Sequence, residues 1–116
     1  MKHDPLNNRL LKEFPYLEKT YASVKDGAFD LDTPAYSFYE EIFVPYVLMK
    51  IEKNDKEEIR HCFAFIEEMM EDEDEIGQDV MMQSVLCPLY EKKGSQLKSL
   101  PLGRLSLAYV KEWLEI

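Results

Sequence analysis

Glycine is scarce, with only four in 116 residues. An all-β chain of this length would need many tight turns, so the shortage argues against one. Long apolar runs are also missing. The longest, Ile42 to Met49, falls far short of the ~20 residues that a helix needs to span a bilayer, and no membrane association is expected. The opening residues, MKHDPLNNRLLKEF, lack the apolar core and small-residue cleavage site of a secretory signal. Two cysteines, Cys62 and Cys87, cannot make a disulfide framework. Both lie in apolar stretches and read as buried thiols in a reducing, cytoplasmic setting. The two histidines, His3 and His61, come with no HExxH and no CxxC, so no transition-metal site is expected.

Catalytic signatures are absent too. There is no Gly-rich phosphate loop and no GxSxG. Carboxylate pairs such as Glu40-Glu41 and Glu67-Glu68 are neighbours on a helix and point in different directions. A general acid needs a shielded pocket to shift its pKa, and an exposed run supplies none. Cys87, in SVLCPLY, has no base beside it to stabilise a thiolate. The expectation is a protein without enzymatic activity and without a cofactor.

Bases are missing from one place in particular. Between Arg60 and Lys92 there is no Lys or Arg, while the window from His61 to Glu91 holds nine of the chain's 23 acids. The other 14 acids are matched by the chain's 14 Lys and Arg, so the whole net charge of −9 sits in this segment. Its densest part is EEMMEDEDEIGQD, from Glu67 to Asp79. Such a field repels nucleic acid and membrane surfaces and attracts basic proteins. The calcium-loop reading of the same stretch fails. Asp72, Asp74 and Gly77 take loop positions 1, 3 and 6, but Ile76 stands at position 5, and Gln83 stands where a bidentate Glu is required.

The size fits a single domain over residues 1–116. Asp4-Pro5 is a helix start, followed by Leu6, Leu10, Phe14, Leu17 and Tyr21 at helical spacing. Pro15 should break or kink this region, Gly27 should end it, and AFDLDTP reads as a loop. Thr33-Pro34 opens the next helix, AYSFYEEIFVPYVLMKIEK, apolar nearly all round and therefore central, with a kink at Pro45. A strand over IFVPYVLMKI is also compatible with so short an apolar run. Asp55 and Glu58 have capping-box spacing. Ile59, Cys62, Phe63, Ile66, Met69 and Met70 then trace the clearest helical stripe, with Arg60, Glu67, Glu68 and Glu71 opposite. Asp72 to Asp74 is the turn. Ile76, Val80, Met81, Ser84, Val85 and Leu89 line the next helix, which Pro88 should kink or end early. SQLKSLP reads as a linker. A last helix over 103–114 presents Leu105, Ala108, Tyr109 and Trp113, with Trp113 as its anchor to the core. The sum is an all-α domain of five to six helices, with a HEAT-like helical-hairpin pair around Asp72.

Three segments together resemble a known group. Phe63 to Met69 fits F-x-F-[IL]-E-x-[ML], Asp72 to Glu75 supplies an acidic turn, and Val80 or Met81 through Leu89 fits V-x-x-S-[VF]-L-x-x-L. The helix YSFYEEIFVPYV and the closing LPLGRLSLAYVKEWLE also fit. The pattern resembles a family of small bacterial helical proteins similar to the immunity proteins of polymorphic-toxin and contact-dependent inhibition systems. The resemblance implies a cytoplasmic protein that binds and neutralises a cognate toxin, and it transfers no catalytic residue. On the charge argument the partner is a basic protein, of which a nuclease toxin is one kind. The contact residues are Glu67, Glu68, Glu71, Asp72, Glu73, Asp74, Glu75 and Asp79. A helical adaptor or regulatory subunit with a non-toxin partner is the alternative.

Overall fold

The computed structural model describes residues 5–19 and 33–115, and these are helical with no strand among them. Helix α1 (Pro5–Glu13) opens on Pro5, whose missing N–H costs nothing in a first turn. The expected cap Asp4 lies outside the described residues, as do Tyr21, Gly27 and loop residues 28–32. Leu6, Leu10, Leu11, Phe14 and Leu17 are all buried, so the predicted stripe is the inward face. Pro15 ends the helix: Phe14 N–H still reaches Leu10 O at 2.9 Å, and the chain then turns tightly, with Leu17 N–H on Phe14 O at 2.9 Å.

Helix α2 (35–52) is a helix throughout, which removes the strand alternative. Its start differs from expectation. Pro34, not Thr33, is the cap residue, and its own side chain makes no cap hydrogen bond. The Thr33 carbonyl instead accepts from Asn7 Nδ2 of α1 at 2.6 Å, pinning the entry of α2 to the first helix. Pro45 produces neither a break nor a restart. The turn before it, Tyr39–Phe43, is widened, with Val44 N–H bonded to Tyr39 O five residues back. A proline has no N–H to give the carbonyl four residues earlier and clashes with it, and one underwound turn relieves both faults. Pro88 is treated in the same way, after the wide turn Met81–Leu86, where Cys87 N–H meets Met82 O.

Asn54 adopts φ 55°, a left-handed conformation that Asn tolerates, and turns the chain out of α2. Asp55 caps α3 (Lys56–Glu71) by accepting from Glu58 N–H at 3.3 Å. Helix α3 is the centre of the molecule. Ile59, Cys62, Phe63, Ile66 and Met69 are buried as the periodicity requires, and Phe65, outside that stripe, is buried as well. Its ring meets Phe14 edge-on at 5.3 Å, Phe43 at 5.7 Å and Tyr39 in parallel at 6.5 Å. Such pairs add about 0.5–1.5 kcal/mol each beyond their burial. A second buried face is what places α3 between two layers of the fold.

Asp72–Asp74 turns the chain into α4 (75–93), which completes the expected hairpin. Gly77, Val80, Met81, Ser84, Val85, Leu86 and Leu89 face inward. Ile76 is the exception to the predicted stripe, since it is 60 % exposed at the hairpin end. Helix α4 runs on past Pro88 to Lys93, and Gly94 ends it at φ 58°. The segment read as a linker is a 3₁₀ turn, Gly94–Ser99, whose Leu97 is fully buried. Helix α5 (104–114) follows. Its anchors are Ser106 and Val110, both fully buried, while Trp113 is 66 % exposed. The last turn, Val110–Leu114, is underwound, with Glu115 N–H on Val110 O at 3.0 Å, so Leu114 rather than Trp113 returns to the core.

Candidate functional site: the acidic end of the α3–α4 hairpin

The eight acidic residues fall into two groups once their partners are known. Glu67 points inward across the fold. Its carboxylate accepts from Leu105 N–H at 2.8 Å, and from the Ser106 amide and hydroxyl, each at 3.0 Å. It therefore caps α5 from a different helix, serving N–H groups that have no partner inside their own helix. Gly103 makes room for it, because a Cβ at 103 would collide with the Glu67 side chain.

Arg9 of α1 reaches Glu68 Oε1 at 3.3 Å and Asp72 Oδ2 at 3.1 Å, so one guanidinium bridges two acids. The Asp74 amide donates to Asp72 Oδ1 at 3.2 Å, and this bond together with Arg9 holds the Asp72 carboxyl below its ordinary pKa. Asp74 is the N-cap of α4, accepting from Ile76 N–H at 3.0 Å. Gln78 donates its side-chain amide back to the Asp72 carbonyl and closes the turn. Asp79 accepts from Tyr36 Oη at 2.6 Å and from Gln83 Nε2 at 2.8 Å, and the first of these bonds raises the Tyr36 pKa.

That accounting changes what the stretch is. Five of the eight acids, Glu67, Glu68, Asp72, Asp74 and Asp79, hold the hairpin to α1, α2 and α5 or cap a helix. Glu71, Glu73 and Glu75 are exposed, and among the described residues they have no ion pair or side-chain hydrogen bond. They lie close in sequence to the exposed Ile76. The outward-facing feature is thus three carboxylates with one bare apolar side chain.

Sequence reasoning missed the partners rather than the acids. Arg9, Tyr36 and Ser106 lie 63, 43 and 39 residues from the groups they bind, so no local pattern marks them. A second cluster was also missed. His61 Nε2 lies 2.6 Å from Glu13 Oε2, its Nδ1 lies 3.1 Å from Glu58 Oε1, and its ring sits 4.3 Å from that of Phe14. Glu58 also accepts from the Tyr46 hydroxyl. Burial lowers the His61 pKa, but the bonds to Glu13 and Glu58 and their charges outweigh it, and the net shift is upward. Both ring nitrogens are engaged, so this imidazole ties α1 to α3.

The thiols do not form a reactive site. Burial, then the Glu58 charge, pushes Cys62 up to about 12. Cys87 is half-buried rather than buried, and its pKa is raised by burial, Glu91 and Glu40. Among the described residues no group of three or more His, Cys, Asp or Glu is arranged to hold a metal ion, and no helix is long and apolar enough to cross a membrane.

Comparison with curated proteins and with solved structures finds no match. A family described as a domain of unknown function, DUF7674, matches residues 7–113. That span includes every helix from α2 to α4, nearly all of α5 and all but the opening of α1. The chain belongs to the DUF7674 family.

Proposed function

We propose that this chain is a non-enzymatic binding protein of the cytoplasm, an immunity protein that neutralises a basic bacterial toxin through the end of the α3–α4 hairpin. The carrying observation is the exposed set of Glu71, Glu73 and Glu75 beside Ile76. A surface that needed only helix caps would stop at Asp72 and Asp74. Three further carboxylates repel one another and lower stability unless a cation meets them. An exposed isoleucine among them offers the apolar anchor that charge alone lacks. The toxin itself comes from the sequence resemblance, and the charge argument supplies the sign of the partner.

An inhibitor that must act before damage accumulates gains from steered encounter, which raises association rates by roughly 10–10³-fold at low salt. The test uses the purified protein and the product of the neighbouring reading frame. Capture that weakens with salt, with toxicity relieved in cells, is the expected result. Replacing Glu71, Glu73 and Glu75 by Lys should slow association by about tenfold or more at low salt without unfolding the protein. An unchanged on-rate would remove the acidic end from the interface. Capture of a non-toxic protein would overturn the immunity reading.

A further inference from the structure

Two cavities share one wall. The first, about 330 Å³, is lined by Lys56, Ile59, Arg60, Leu100 and Pro101 among others. The second, about 560 Å³, is lined by Arg60, Ala64, Glu67, Glu71, Pro101 and Gly103 among others. Arg60 and Pro101 belong to both, so the two form one groove along the outer face of α3. Its middle is Ala64, an exposed small residue on the central helix of the fold.

The charges nearest the middle of this face are antisymmetric about Ala64. Arg60 lies four residues before it and Glu68 four residues after. Lys56 lies eight before and Glu71 seven after. Residues four apart share a helix face, about 6 Å along the axis. A second α3 laid antiparallel across the first, with Ala64 on Ala64, sets each Arg60 against the other copy's Glu68. It also sets each Lys56 near the other copy's Glu71. A parallel arrangement sets like charge on like. Self-complementarity of this kind is the mark of a two-fold interface, in which residue i meets j and j meets i.

From this we infer that the outer face of α3 is an interface between two copies of this chain, centred on Ala64 and held by reciprocal Arg60–Glu68 pairs. Among the described residues neither Arg60 nor Lys56 forms an ion pair, whereas Glu68 uses only Oε1 on Arg9 and keeps Oε2 to offer. Glu57 stands at the same level as Glu71 of the other copy, so the outer turns contribute little and the central pairs decide. A face one helix wide is at the small end for a specific interface, which makes the dimer weak and concentration-dependent. Ala64 lets the backbones approach closely, and Pro101 flanks the contact. The inference does not depend on any toxin, because the pair that decides it, Arg60 and Glu68, lies outside the set Glu71, Glu73, Glu75 and Ile76, although Glu71 borders both surfaces.

Sedimentation equilibrium on the full chain, from low micromolar to several hundred micromolar at low salt, is the test. The expected result is a monomer–dimer equilibrium that shifts to monomer as salt rises. Arg60→Glu sets a carboxylate against the other copy's Glu68 and should weaken the dimer about tenfold or more, and Glu68→Arg should do the same. The double exchange should restore it. Ala64→Arg should abolish it, with circular dichroism reporting that the helices remain. A wild-type chain that stays monomeric throughout overturns the inference. So does a dimer that Arg60→Glu leaves intact, or a double exchange that fails to restore association.

Discussion

Glu67 on α3 accepts both the amide and the hydroxyl of Ser106 on α5, each at 3.0 Å. A carboxylate that caps a helix from elsewhere in the fold is a cap and a tertiary clamp at once. Replacing Glu67 by Ala should cost about 2 kcal/mol, within the range for a lost cap and a charge-assisted bond. Gly103→Ala should cost about 1–2 kcal/mol by displacing the same carboxylate. Since both changes act on one clamp, urea denaturation of the double variant should show much less than the sum of the two.

His61 predicts how stability responds to pH. Its folded pKa lies above the ordinary 6.5, so the folded state holds the proton more tightly than the unfolded chain does. The stabilisation it provides is complete below 6.5 and is lost as pH rises through the raised value. His61→Gln should therefore be most destabilising in mild acid, and the gap from wild type should close as pH rises. Denaturation midpoints of both proteins across this range, with a proton NMR titration of the imidazole, check the sign.

Trp113 is the chain's one tryptophan, and it faces solvent. Native fluorescence should resemble that of a water-exposed indole and should be readily quenched by acrylamide. Trp113→Ala should change stability by no more than about 0.5 kcal/mol. Val110→Ala, one turn earlier and fully buried, should cost about 2 kcal/mol.

The two thiols should separate in a labelling experiment. Cys62, fully buried and with its pKa at about 12, should resist alkylation at neutral pH until the protein unfolds. Cys87 should react slowly in the native state, because it is only partly exposed and poorly ionised.

The helical class, the apolar stripe of α3 and the turn at Asp72 were legible because each depends on residues close in sequence, although the all-round apolar pattern of α2 points to that helix as the central one. Ile59 to Met69 carries its period openly, and Asp55 announces the cap it makes. What local reasoning misjudged depends on distant partners. Phe65 breaks the apolar period of α3, yet it is buried because Phe14, Phe43 and Tyr39 gather around it. Leu97 looked like part of a linker because a single apolar residue among polar ones has no period to display. Trp113 looked like an anchor by composition, but the underwound turn at Val110 shifts the buried face by one position. The prolines at 45 and 88 marked the places where the helices depart from regular α geometry, each after one widened turn, and only the early end at Pro88 did not occur. The acidic run was visible at once, whereas the division of labour inside it needed Arg9, Tyr36 and Ser106 in place.

The clamp between Glu67 and α5 also bears on how the chain matures during synthesis. The residues that satisfy Glu67 are made 38 and 39 positions after it. At about 5–20 residues per second, a ribosome takes on the order of 2–8 s to cover that stretch. For that interval α3 can form with its own cap at Asp55, but one side of it has nothing to close against. The nascent chain passes through a stage in which the central helix is built and its outer layer is still being translated.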